Sequence, residues 1–238
     1  MSSTNLPRAR NQTIARLLTR PTFQHNHDRN AEEVHFSETR PIQIVINGSA
    51  TFHIPRHLLS RSQYLSSRLS YVPHGQRQEI LIFGIEVSAF RIYAALLSEG
   101  KLALPFQDEN DVVGQNAFWN IWAKCYALGR ALRDTAFRNR LVDGAIAHMI
   151  RNDAQPGCLV RTIYKHSASR SEHRNLCRDL AMHTWRIPDI LAVEEGEFKN
   201  DLFRDLAGMI REEGVERRRV DDFLVGKIGA YWEEERGS

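Results

Sequence analysis

The stretch HIPRHLLSRSQYLSSRL, residues 53–69, decides how the rest of the chain is interpreted. Its histidines, arginines and hydroxyls are compatible with a metal site, a nucleic-acid patch or an active-site loop. Its leucines favour a structural role, because they recur with one serine at the spacing of a single helix face. These residues are Leu58, Leu59, Ser62, Leu65 and Leu69. Pro55 suits a first helical turn, so the sequence predicts an amphipathic helix over residues 55–69 with its leucines facing a core.

The residues before this stretch predict a β-hairpin. Three isoleucines at positions 42, 44 and 46 alternate with Gln43, Val45 and Asn47, which is the period of a strand with one buried face. Asn47-Gly48 is a strong hairpin signal, because both residues tolerate positive φ. The apolar alternation returns at positions 52 and 54. We therefore expect a hairpin over residues 41–54.

The residues after this stretch predict one more strand and then helices. Glu79–Phe83 is a short apolar strand after the loop 72–78, and Glu86–Glu99 is a helix that stops at Gly100. Further helices are expected at 111–132, from the capping residue Asp134 onward, and at 158–166, 171–186, 198–213 and 220–234. The predicted fold class is α+β: a small three-stranded sheet packed on a helical cluster, followed by an all-helical C-terminal extension.

Composition narrows the class of protein. The chain has 238 residues, of which 42% are apolar, and a net charge of +3, too small to indicate a polyanion partner. Three scattered cysteines predict a reducing, intracellular compartment, cytoplasmic or nuclear. We see no membrane span, and residues 1–38 are interpreted as a flexible arm, with a mitochondrial presequence as the alternative.

Charge is distributed unevenly near the C-terminus. Residues 151–191 carry seven Lys and Arg against four Asp and Glu, whereas residues 192–238 carry eight against thirteen. This pattern indicates either a contact between a basic body and an acidic tail or a solvated surface.

Four stretches resemble the BTB/POZ domain of the fungal type. The stretch FHIPRHLLSRSQYLSSRL, residues 52–69, resembles the family pattern F-x-V-H-K-x-L-L-x-x-S-x-Y-F-x-x-x-L. EILIFGIEVSAFRIYAALLSEGKL, residues 79–102, resembles the next strand and helix, which end in Y-T-G-K-L. Residues 128–149 and 159–185 resemble the closing helices and the helical extension. The resemblance covers roughly residues 38–213 and implies an N-terminal arm at 1–38, a BTB/POZ-like domain at 39–150 and a helical extension at 151–238.

The resemblance implies a non-enzymatic protein–protein interaction module that forms homo- or hetero-oligomers, with a homodimer as one of these forms. One alternative is a substrate adaptor for a cullin-type ubiquitin ligase. However, the hydrophobic-x-Glu motif linked to cullin binding would fall near LSYVPHGQ, and it is absent there. The other alternative is an arginine-dependent nucleic-acid-binding protein.

Candidate metal ligands and nucleophiles have a structural interpretation that we favour. His53 and His57 are four residues apart, but Pro55 separates a strand from a helical turn. A second set with the ligand types that zinc prefers, Cys158, His166, His173 and Cys177, lacks the closely spaced cysteine pair of a zinc knuckle. Cys125 lies on an apolar stripe and is expected to be a buried thiol. We therefore expect no metal or cofactor site.

The remaining candidates concern nucleic acid, catalysis and tryptophans. Arg56, Arg61 and Arg68 form a potential basic strip, and a second run, Glu216–Val220, sits among carboxylates that neutralise it. No phosphate loop or nucleophile motif is present, so we expect no catalytic residues. The tryptophans at 119, 122, 185 and 232 are expected to be core residues, and an exposed one would indicate a partner surface.

Overall fold

The computed structural model describes residues 41–70, 79–105, 112–152, 157–185, 197–210 and 220–234. The chain forms two compact units, Met1–Ala103 and Leu104–Ser238. The first contains, in order, β1 (Pro41–Ile46), β2 (Ala50–Pro55), a 3-10 helix (Arg56–Arg61), α1 (Gln63–Ser70), β3 (Glu79–Ile82) and α2 (Val87–Glu99). The second contains α3 (Val112–Ala131), α4 (Thr135–Asn152), α5 (Gly157–His166), α6 (Glu172–Thr184), α7 (Glu197–Ile210) and α8 (Val220–Leu224).

The sheet of the first unit has the strand order β2-β1-β3, with β1 antiparallel to β2 and parallel to β3. The hairpin prediction is confirmed: Asn47 and Gly48 turn with φ of 52° and 68°. Asn47 also links the turn to β3, because its N–H donates to Ile82 O at 2.8 Å and its side chain accepts from Gly84 N at 2.9 Å. One asparagine thus shapes the hairpin and positions the third strand.

The opening stretch is helical but not one continuous helix. The 3-10 helix ends at Arg61, and Ser62 has an extended backbone before α1 begins at Gln63. The prediction of a single helix over 55–69 was wrong on this point, because Ser62 caps a new helix: its Oγ accepts a hydrogen bond from Leu65 N at 3.1 Å. The prediction about the leucines is largely confirmed. Leu59, Leu65 and Leu69 are buried, and Leu58 is half-buried.

The next helix, α2, closes the core of the first unit as predicted. Phe90 is buried against Phe52, with ring centroids 4.9 Å apart in an edge-to-face arrangement. Gly100 ends the helix with φ of 70°, and its N–H donates to Leu96 O. A residue with a side chain would be strained in this left-handed conformation, which explains why the helix stops there.

Helix α4 lies inside the second unit and is buried on every side from Leu141 to Ile150. The predicted cap is confirmed, since Asp134 Oδ1 accepts from Phe137 N at 2.8 Å. Trp122 on α3 donates its indole N–H to Leu141 O at 2.7 Å. A helix surrounded by protein must also bury its polar side chains, and these define the site described below.

The prediction of a final helix over 220–234 was wrong. Helix α8 ends at Leu224, and the residues that follow form turns. Gly226 and Gly229 both have φ of +80°, which breaks the helical backbone twice within four residues. The C-terminal segment, residues 225–234, therefore has no regular secondary structure, and its backbone N–H and C=O groups can bond to neighbouring elements.

The predicted fold class is confirmed: a small three-stranded mixed sheet with helices, followed by a helical C-terminal part. The compact units divide at Ala103 rather than near residue 150, but compactness does not test the domain limits implied by the resemblance, which stay a prediction. The arm 1–38 and the loop 72–78 lie outside the described residues. Within the described helices, none is long and apolar enough to cross a membrane.

Replacing Ser62 by alanine tests the cap that divides the opening stretch. We expect Ser62→Ala to lower the free energy of unfolding by about 1–2 kcal/mol, because the buried N–H of Leu65 loses its acceptor. Urea unfolding followed by circular dichroism measures this change. The matched control Ser66→Ala removes an exposed hydroxyl from the same helix and should change the stability by less than about 0.5 kcal/mol. Equal effects of the two substitutions would contradict the capping role.

Candidate functional site

The two histidines of the opening stretch lie on different elements, as predicted. His53 is on β2 and His57 is in the 3-10 helix, and both are exposed. Among the described residues, no three His, Cys, Asp or Glu side chains come together in a way that could hold a metal ion.

The four residues of the possible zinc set have separate environments. His173 and Cys177 are fully buried in α6, whereas His166 and Cys158 are half-buried in α5. His173 uses its ring nitrogens in hydrogen bonds to protein side chains, described below. Cys125 is buried as predicted, and burial raises the pKa of its thiol to about 12. A nucleophilic thiolate requires a lowered pKa, so burial works against such a role for Cys125.

The arginines of the opening stretch lie on or near the surface. Arg61 and Arg68 are exposed and Arg56 is half-buried. Arg68 stacks over the ring of Tyr64, with 5.4 Å between the guanidinium carbon and the ring centroid. The basic run at 216–219 lies outside the described residues.

An apolar patch is exposed on the outer face of the sheet. Strand β3 alternates, so Ile80 and Ile82 point into the core while Leu81 points outward and is 53% exposed. Phe83 follows the strand and is 69% exposed. The register places Leu81 beside Val45 of β1, and no described strand pairs with the other edge of β3. An edge strand with exposed large apolar side chains is typical of a contact surface.

A polar cluster in the second unit holds the C-terminal segment. We call it the docking cluster and define it as Arg138, Asn139, Asp143, His173 and Asp179. Asp143 accepts two hydrogen bonds from the segment, one from Gly229 N and one from Trp232 Nε1, both at 2.9 Å. Asp179 accepts the hydroxyl proton of Tyr231 at 3.0 Å. Two carboxylates thus bind one backbone N–H and two aromatic donors of the same short segment.

Asn139 forms hydrogen bonds with the backbone of the segment at Glu233. Its Nδ2 donates to Glu233 O and its Oδ1 accepts from Glu233 N, each at 2.9 Å. The side-chain amide therefore satisfies both polar groups of one residue, as a neighbouring strand would. This contact does not depend on which side chain position 233 carries.

The side chain of Glu233 is held by Arg138. The two guanidinium nitrogens Nη1 and Nη2 lie 2.8 Å and 3.3 Å from the two carboxylate oxygens, which is a bidentate pair. Both side chains are largely shielded from water. Arg138 also donates to Tyr126 OH at 2.8 Å and lies over the Tyr126 ring. Arg138 lies outside the basic stretch 151–191; a contact between that stretch and the acidic tail is present elsewhere, where Arg174 Nη1 lies 3.3 Å from Asp201 Oδ2.

His173 connects these groups beneath the segment. Its Nε2 lies 3.0 Å from Asn139 Oδ1, which only accepts, so Nε2 carries the proton. Its Nδ1 then accepts from Tyr126 OH at 2.7 Å. In this tautomer no proton lies between Nδ1 and the Glu233 carboxylate oxygen 3.4 Å away, so the two form no ion pair.

Burial keeps His173 neutral. Burial and, as a smaller cause, the positive charge of Arg138 together lower the pKa of the imidazole to about 3. The pKa of Asp143 is raised by burial, an effect that the hydrogen bonds from Gly229 and Trp232 oppose. Above the pH range in which His173 titrates, its imidazole therefore keeps one donor nitrogen and one acceptor nitrogen in the docking cluster.

Sequence reasoning missed most of this site. His173 was considered only as a zinc ligand, and Trp232 was expected in the core, whereas it is 38% exposed; Trp119, Trp122 and Trp185 are buried as expected. The available signal was two polar residues four positions apart, Asn139 and Asp143, one just before and one near the start of the mostly apolar run from Leu141 to Ile150. Their partners lie 86 to 94 residues away, a separation that no local pattern reveals.

Comparison with known proteins gives no assignment. No model of a protein family matches the chain, and no curated protein matches it significantly. The resemblance to BTB/POZ domains therefore rests on the quoted stretches, and function must be argued from the surfaces of the molecule.

We expect the second unit to lose stability as the pH falls below the ordinary histidine pKa of 6.5. The folded state keeps His173 neutral down to about pH 3, so the unfolded state binds one more proton between these values. The contribution is nearly complete at pH 7.5 and decreases by roughly 2 kcal/mol between pH 7.5 and pH 5. Tryptophan fluorescence in urea measures it, because all four tryptophans belong to the second unit.

The variant His173→Gln should lose that part of the pH dependence, since an amide does not titrate in this range. His148, buried in the same unit with its pKa lowered to about 4, should leave a remaining slope. His53→Gln removes an exposed histidine of the first unit and is the matched control. A wild-type chain and a His173→Gln chain with identical pH dependence would show that His173 is not held neutral.

Proposed function

We propose that the chain is a non-enzymatic protein–protein interaction module of the BTB/POZ kind, which assembles with a partner protein through residues 41–103. The occupant that the geometry favours is a second copy of the chain. The observation that carries the proposal is the exposed apolar patch of Leu81 and Phe83 on strand β3.

The patch has the chemistry of a binding surface. Phe83 and Leu81 are the two most exposed large apolar side chains described in the first unit. Exposed aromatic side chains of this kind contribute a large share of binding energy when a partner covers them. Water contact with both side chains is unfavourable, and covering them with another apolar surface removes it.

The geometry of β3 favours a second copy as partner. Its outer edge is not paired with any described strand, and the backbone N–H and C=O groups of such an edge are a template for another strand. Two copies related by a twofold axis would bring two such edges together, each with its own Leu81 and Phe83. Such a contact satisfies the backbone groups of the edge and covers both apolar side chains at once.

The arrangement of the first unit supports the BTB/POZ interpretation. The hairpin, the helical stretch, β3 and α2 occur in the order that the resemblance implies. Among the residues on the matching positions of the first quoted stretch, Leu59, Leu65 and Leu69 are buried in the core, whereas Phe52 and Tyr64 are half-buried. The pattern thus consists mainly of residues that face the core, as expected where a resemblance reflects a shared fold.

The titratable groups that we considered as nucleophiles or ligands serve structural roles. Burial raises the pKa of the Cys125 and Cys177 thiols, the direction opposite to that of a reactive thiolate. His173 has both ring nitrogens engaged by Tyr126 and Asn139. These environments favour a binding role over catalysis for the chain.

We expect Phe83→Asp to weaken self-association. Losing a central aromatic contact costs about 2 kcal/mol, which corresponds to a roughly thirtyfold higher Kd for the dimer. Sedimentation velocity over a range of micromolar concentrations measures this change. Thr51→Asp is the matched control, because it places the same charge at an exposed position of the same sheet on β2. It should leave the Kd within about threefold of the wild-type value.

A wild-type chain that remains monomeric throughout this range would exclude a second copy as the partner. The same experiment can be extended to other partners with a photo-crosslinking residue at position 83 or at position 51 in extract of the source cell. Capture from position 83 alone would support a different protein partner for the patch. No capture specific to position 83, together with a monomeric chain, would overturn the proposal.

A further inference from the structure

We infer that the docking cluster is a peptide-recognition site for an aromatic–acidic segment of the Tyr-Trp-Glu type. The chain's own C-terminal segment fills the site in cis, and the same segment of a second copy is its partner in trans. This inference rests on the proposed function only in that two copies must meet. It concerns a different surface, in the second unit.

The docking cluster binds the main chain of the segment, as a peptide-binding site does. Asn139 binds the backbone N–H and C=O of Glu233, a contact open to any residue. Recognition of an added peptide commonly combines such main-chain hydrogen bonds with pockets for side chains. Here one amide side chain on a largely buried helix makes the contact. Its donor and its acceptor are therefore already in place before the segment binds.

The docking cluster also binds particular side chains of the segment. Arg138 forms a bidentate pair with the carboxylate of Glu233, a geometry that an aspartate or an amide could not reproduce at the same position. Asp143 accepts from the indole N–H of Trp232, and Asp179 accepts from the hydroxyl of Tyr231. Three consecutive residues are thus each bound by a different side chain of the cluster, which gives the site a sequence preference.

The C-terminal segment belongs to no helix or strand. Its local hydrogen bonds are two turns, Lys227 N to Leu224 O and Ala230 N to Lys227 O. The positive φ of Gly226 and Gly229 gives it a defined shape without packing it into a regular element. Such a segment loses few internal contacts when it leaves the cluster, whereas α4 and α6 keep theirs.

Segment and site are both present in every copy, which identifies the partner in trans. An exchanged segment would form the same hydrogen bonds with the docking cluster of a second copy as with its own. The cluster buries Asn139 and Asp143, and their polar atoms need partners when the segment is absent. A vacant cluster would therefore favour capture of another segment of the same kind.

Hydrogen exchange of the wild-type chain tests whether the segment can leave. We expect the amides of residues 229 and 233 to exchange at least about tenfold faster than those of α4 and α6, through an opening that leaves these helices protected. Exchange of the segment only at the rate of α4 would show that it opens only when the unit unfolds. That result would overturn the inference, and it requires no variant.

Peptide binding tests whether the site accepts a segment in trans. The probe is a fluorescein-labelled peptide of residues 226–234, GKIGAYWEE, and the receptor is the full-length chain with Trp232→Ala and Glu233→Ala. We expect this receptor to bind the peptide at least about tenfold more tightly than the wild-type chain, whose own segment competes at a high effective concentration. Fluorescence anisotropy measures both affinities, and circular dichroism checks that the receptor is folded. Glu233→Gln alone is the milder receptor if the double variant unfolds.

Two controls separate specific from general binding. Adding Asn139→Ala to the receptor should weaken peptide binding about tenfold, because two hydrogen bonds to the peptide backbone are lost. The peptide GKIGAYAAE should bind at least about tenfold more weakly than GKIGAYWEE. Equal binding of the two peptides to a folded receptor would overturn the inference.

The same measurement in a Phe83→Asp background separates the two proposals. Peptide binding that persists when self-association through β3 is abolished places the site in the second unit alone. Conversely, a chain that dimerises through Phe83 but binds no peptide contradicts only the peptide-recognition site.

Discussion

Helix α4 carries Asn139 and Asp143 into an interior where neither side chain can remain without hydrogen-bond partners. The chain provides these partners from residues about ninety positions further on, through Gly229, Trp232 and Glu233. This requirement explains why a segment without regular structure has a defined place in the second unit. It also explains why that place is polar in an otherwise apolar core.

The network around α4 is consistent in its protonation as well as its geometry. Neutral His173 donates from Nε2 to Asn139 and accepts at Nδ1 from Tyr126, while Arg138 balances the charge of Glu233. A proton added to His173 would place a second positive charge beside Arg138. This repulsion, after burial, is the second cause of the lowered pKa of His173. The same groups thus fix the imidazole tautomer and the position of the C-terminal segment.

The first unit follows a simpler rule, the alternation of side chains along a strand. In β1 and β3 the alternation places Ile44 and Ile80 in the core. In β3 it also turns Leu81 outward, on a strand whose other edge pairs with no described strand. The two units therefore differ: one presents an apolar strand edge, and the other holds a set of donors and acceptors that the C-terminal segment fills.

Local patterns predicted the elements well because each pattern acts over a few residues. The hairpin turn at Asn47-Gly48, the stop at Gly100 and the cap at Asp134 are confirmed. The errors lie where a single residue redirects the backbone: Ser62 begins a new helix, and Gly226 ends the last one early. In both places the predicted helix extends past a residue whose backbone leaves the helical conformation, extended at Ser62 and left-handed at Gly226.

The sequence by itself determined the α+β class, the order of the elements in the first unit and the inward face of its strands, because the periods of two and 3.6 residues are local properties of the chain. Only the tertiary structure decided that Asn139, Asp143 and His173 meet the C-terminal segment, and that Leu81 lies on the outermost of the described strands. Hydrogen-bond partners and strand neighbours are set by which elements come together in space. Contacts across ninety residues leave no periodic trace in the sequence.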